Sequence, residues 1–105
     1  MTKEIKVYVL EILDSIELIE QYVNGISFDE FAEDMGVQDA VCMRLAVIGE
    51  AANNLPEEQK QKQPTIPWNQ IIGMRNFLVH DYGSVVLHRI WQTIEQDLPP
   101  LKIAA

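Results

Sequence analysis

A single cysteine, Cys42, is the whole thiol inventory of the chain. One thiol can neither close an intrachain disulfide nor build a thiolate metal site, so it reads as a small hydrophobe in a reducing compartment. No apolar run approaches 20 residues, and the first residues lack the apolar stretch of a signal peptide. Both absences argue against a membrane partner and lead us to expect a cytoplasmic protein. Positive charge is scarce as well: eight Lys and Arg stand against sixteen Asp and Glu, a net charge of −8. That balance excludes a protein that coats nucleic acid through its overall field. Alternation of apolar and polar residues is nowhere sustained, so no strand is expected. The 105 residues are 48% apolar, which is enough for one core and for a single domain over residues 1–105.

The charge is unevenly spread. Residues 1–40 carry two bases, Lys3 and Lys6, and ten acids, whereas residues 41–105 carry six of each. A local cationic site is therefore possible only in the second part. There, binding must come from shape and a few placed groups.

What is present is helical periodicity. Ile5, Val9, Ile12, Ile16, Ile19 and Val23 recur at spacings of four and three, one apolar stripe along a helix of about six turns. Asn24 and Gly25 stop it, and Glu4, Glu11, Asp14 and Glu17 form its solvated face. Ser27 and Glu30 resemble a capping box that opens a short helix with Phe28, Phe31 and Met35 inward and Gly36 at its end. Asp39 is placed to cap a third helix, with Val41, Leu45, Ile48, Ala52 and Leu55 inward. Pro56 to Lys62 is a polar turn or short helix. Pro67 suits the first position of a fourth helix that reaches Tyr82 and stops at Gly83. Ser84 opens the last helix, with Val86, Ile90, Ile94 and Leu98 inward, until Pro99 and Pro100 break it. Met35, Met43 and Met74 read as core filler, and Trp68 and Trp91 as packing groups rather than stacking platforms. The expected fold is all-α, an up-and-down bundle of four main helices with shorter ones.

The chemistry is concentrated in Arg75-Asn76-Phe77-Leu78-Val79-His80-Asp81-Tyr82. A guanidinium offers permanent charge and forked donors to a phosphoryl group, and an imidazole titrating near neutrality moves protons. Spacing alone does not separate such a site from a surface arginine followed by a capping histidine. On a regular helix Arg75 and His80 stand about 140° apart, whereas Asn76 and His80 share a face. A site using Arg75 and His80 together must distort the helix end, exploit the length of the arginine, or draw on two protomers. His88 beside Arg89 suggests a solvated or interface role, and Glu50 an ordinary partly exposed position. No ligand set for a metal stands out, and no cofactor is implied.

This segment resembles the Arg-x4-His-x-Tyr motif of HepT-like toxins, helical ribonucleases of the HEPN superfamily. The similarity extends over Gln38-Asp39-Ala40-Val41, Ile48-Gly49-Glu50-Ala51-Ala52, Pro67 through Asn76 and Asp97-Leu98-Pro99-Pro100-Leu101. At His88-Arg89 the chain departs from that pattern, where an acidic or apolar residue is usual. The resemblance implies a metal-independent endoribonuclease toxin acting on RNA as a homodimer, with paired motifs in the cleft between protomers. Arg75 and His80 would be catalytic and Asn76 supporting. Tyr82 would accept AMP from an MntA-like nucleotidyltransferase antitoxin. From the residues alone, a non-catalytic helical subunit that binds a nucleotide or partners a nucleotidyltransferase stays open as the alternative.

Overall fold

The computed structural model describes residues 2–80 and 84–104, and the side chains of 2–74 and 87–104. The described residues form helices α1 (Lys3–Val23), α2 (Phe28–Glu33), α3 (Met35–Asn54), α4 (Glu57–Gln61), α5 (Trp68–His80) and α6 (Ser84–Gln92). A π-helical turn (Thr93–Asp97) then leads into α7 (Leu98–Ala104). There is no strand among them, so the fold is the all-α one expected. α1, α3, α5 and the segmented run from α6 to α7 are the main helices. The long α3 packs against both α1 and α5.

Local chemistry explains most boundaries. The Thr2 hydroxyl accepts from the Ile5 amide and opens α1. Asn24 closes α1, and Gly25 follows with φ +77°, the left-handed conformation that favours glycine. The capping box is complete: the Ser27 hydroxyl accepts from the Glu30 amide at 3.2 Å, and the Glu30 carboxylate accepts from the Ser27 amide at 3.1 Å. The core gathers Ile12, Ile16 and Ile19 of α1, Val41, Leu45, Ile48 and Ala52 of α3, and Ile71, Met74, Ile90, Leu98 and Leu101. The buried Gly49, Ala51 and Ala52 keep the surface of α3 low where helices meet it. Glu4, Glu11, Asp14 and Glu17 are exposed, as their pattern implies.

Three expectations need correction. α3 starts at Met35, capped not by Asp39 but by Asp34, whose Oδ1 accepts from the Val37 amide at 3.1 Å. Asp34 closes α2 and opens α3 at once, so Gly36 lies in the first turn of α3 instead of ending α2. Met35 and Met43 are 71% and 60% exposed and fill no core, whereas Met74 is buried. Pro99 and Pro100 do not break the last helix; they sit in the first turn of α7. The π-turn explains this. Leu98 donates its amide to Thr93, five residues back, and the wider turn relieves the clash that a proline ring makes with the preceding turn of an α-helix. The inward position expected of Val86, the stop expected at Gly83 and the reach of α5 to Tyr82 lie outside the described residues or side chains.

Candidate functional site

α5 carries the motif, and its start is firmly anchored. Pro67 presets the backbone, and its carbonyl accepts from the Ile71 amide at 3.1 Å. The Trp68 indole N–H donates to the carbonyls of Lys60 and Gln63 at 3.0 and 3.1 Å, tying α5 to the end of α4. Ile71 and Met74, each 3% exposed, turn one side of α5 into the core.

The helical backbone is continuous to His80. Relative to Ile71, the positions of Asn69, Gly73, Asn76 and His80 fall within about 60° of arc on the opposite side of the cylinder, while Arg75 stands only about 40° from Ile71. Asn69, at the head of that outer line, is exposed. Arg75 and His80 are therefore separated by regular helix, and no helix distortion between them brings them together. The side chains of Arg75, Asn76 and His80, and Tyr82 altogether, lie outside the described residues.

Beside α5, α6 is oriented by aromatic packing. His88 stacks on Phe28 with ring centroids 4.1 Å apart, and Trp91 meets Phe28 at 6.0 Å and Phe31 at 5.1 Å. Seating His88 and Trp91 on α2 turns the next residues, Arg89 and Gln92, toward α5. Arg89 borders one groove with Gln70, Gly73 and Met74. It borders a second with Gln70, Gln92, Thr93, Gln96 and Asp97. The Thr93 hydroxyl donates to the Arg89 carbonyl at 3.0 Å, at the start of the π-turn. Burial pushes the Asp97 carboxyl above the usual carboxylate range, and the field of Arg89 partly offsets this. The polar lining was not legible as a site in the sequence, because its residues come from two helices and a π-turn. Its one signal was Arg89 itself, the charge out of place in the motif pattern.

Comparison with known proteins bears on what such a helix does. The family model described as ribonuclease HepT-like matches residues 12–105. The chain belongs to the HepT-like ribonuclease family. It is 39% identical over 102 residues to the protein named "Probable ribonuclease HepT" of Thermococcus cleftensis, covering 97% of this chain and 93% of that one. It is 40% identical over 95 residues to a "Putative RNase" of Caldanaerobacter subterraneus subsp. tengcongensis, covering 90% and 85%. Over 102 residues it is 42% identical to a "Gamma-glutamylcyclotransferase and putative RNase" of Methanocaldococcus jannaschii. That match covers 97% of this chain but 46% of the relative, so the chain spans less than half of that protein. No solved structure matches. No helix of the described residues is long and apolar enough to cross a membrane.

Proposed function

We propose that the chain is a metal-independent endoribonuclease toxin that acts as a homodimer, with Arg75 and His80 catalytic, Asn76 supporting and Tyr82 the acceptor of AMP. What carries the reading is the Arg-x4-His spacing on one continuous, well-anchored helix in a chain of a ribonuclease family. In the reaction His80 takes the proton of a ribose 2′-hydroxyl. The 2′-oxygen then attacks phosphorus, and the bond from phosphorus to the 5′-oxygen breaks. A protonated imidazole returns a proton to that leaving oxygen, leaving a 2′,3′-cyclic phosphate and a 5′-hydroxyl. Arg75 supplies charge and forked donors as the phosphoryl oxygens gain negative charge. The register separation of about 140° favours joining Arg75 of one protomer with the motif of the other.

Regulation follows the same residues. In the reading, an MntA-like nucleotidyltransferase antitoxin lets the Tyr82 oxygen attack the α-phosphorus of ATP, with loss of the phenolic proton and release of pyrophosphate. The added phosphodiester and adenosine compete with RNA for Arg75 by charge and bulk. The test is cleavage of a labelled RNA in the presence of chelator. Arg75→Ala and His80→Ala are each expected to lose about 10²-fold or more in rate while staying folded. Undiminished cleavage by folded His80→Ala would overturn the assignment. Intact-mass measurement after incubation with ATP, magnesium and the nucleotidyltransferase should show AMP on the wild type and none on Tyr82→Phe.

A further inference from the structure

Arg89 and the glutamines around it stand apart from the motif. The two adjoining grooves that share Gln70 and Arg89 measure about 250 and 340 Å³. Pockets that enclose a drug-sized ligand run from roughly 300 to 1,000 Å³; one groove lies below that range and the other at its lower end, sizes that suit a fragment such as one base or one phosphate. Gln70, Gln92 and Gln96 carry paired amide donors and acceptors suited to base edges and ribose hydroxyls, and Arg89 is the cation among the described lining residues. At the Gly73 floor a Cβ would meet nothing within 4 Å among the described residues. Glycine inside a helix is destabilising by about 1 kcal/mol relative to alanine, and no neighbour among the described residues requires it there. Gly73 and His80, seven residues apart, differ by about 20° around α5 and about 10 Å along it, so the grooves and the motif histidine's position lie along one side of the helix. The π-turn, a feature frequent at functional sites, presents Gln96 and Asp97 to the same place.

We propose that Arg89, flanked by Gln70, Gln92 and Gln96, is an RNA subsite that holds the phosphate and base edge of a nucleotide next to the cleaved bond. It rests on the ribonuclease reading and adds to it a positioning contact outside the motif. In a chain whose net charge is −8, RNA affinity depends on such single cations, and Asp97 in the same groove opposes it.

The experiment uses the full chain carrying His80→Ala, so that RNA is bound and not cut, and a short labelled single-stranded RNA of mixed sequence titrated at several salt concentrations. Arg89→Gln should weaken binding several-fold and reduce the salt slope by about 0.7 to 1. Arg89→Lys should restore the slope, and Asp97→Asn should tighten binding, a gain that misfolding cannot produce. With an otherwise wild-type chain, Arg89→Gln should raise KM more than it lowers kcat. Unchanged affinity and slope in Arg89→Gln, beside normal cleavage by the wild type, would overturn the subsite and leave the nuclease standing. A slope change without any wild-type cleavage would keep Arg89 as an RNA contact but remove the nuclease, and with it the placement beside a cleaved bond. Loss of dimer mass in sedimentation that matches the loss of binding would make Arg89 a contact between copies and overturn the subsite. A wild type that neither binds nor cuts RNA would overturn both.

Discussion

Gln38 shows how one side chain can join two helices. It is 5% exposed, and its Nε2 donates to the carbonyls of Phe31 and Ala32 at 2.9 and 3.0 Å, in the last turn of α2. Gln38→Ala deprives the Ala32 carbonyl of this donor, leaves the Phe31 carbonyl only the Asp34 amide, and opens a small void. Unfolding in urea should show a loss of about 1 to 3 kcal/mol with an unchanged slope against denaturant. Gln38 was visible in the sequence only as part of a family pattern. Its physical reason lies in a hydrogen bond across six and seven residues, which no local rule supplies. Ser27 with Glu30 is the opposite case, since both bonds of the capping box join residues three apart.

At the scale of the element, the π-turn matters most. It lets Pro99 and Pro100 continue the last helix and draws Asp97 into the groove beside Arg89. Because burial raises the Asp97 pKa above its ordinary 3.8 despite the attraction of Arg89, the folded chain holds this proton more tightly than the unfolded chain. Stability from this group therefore falls as pH rises from 3.8 through the raised value, and the penalty is complete at neutral pH. Asp97→Asn should raise the Tm at pH 7 and make no difference well below 3.8, read from thermal melts across pH. A variant less stable than wild type at neutral pH would show that the carboxylate is needed in its charged form. Proline chemistry read along the chain implies a helix end here. The competing solution, a helix widened by one residue, depends on packing of Leu98 and Leu101 into the core.

For the whole molecule, the separation of Arg75 from His80 around α5 has a direct consequence for assembly. If one protomer's Arg75 serves the motif of the other, a mixture of Arg75→Ala and His80→Ala chains contains mixed dimers with one intact site. Equal mixing after unfolding and refolding should recover about a quarter of wild-type cleavage from two inactive proteins. No recovery, with mixed dimers present by mass, would place both groups of a site on one chain. The acidic face of α1 is exposed in the protomer.

The sequence by itself determined the helical class, most helix starts and stops, the apolar stripes of α1 and α3, and the segment to which the chemistry is proposed to belong. Those features depend on residues within a turn or two of each other, where period and capping act directly. Only the tertiary structure decided that Met43 is exposed and that Asp34 serves two helices. The same holds for the prolines of α7 riding on a π-turn, and for the grooves in which Gln70, Arg89 and Gln96 meet. Each of these is settled by which helix packs against which, because side chains distant along the chain become neighbours only when α2, α5 and α6 bury their apolar sides together.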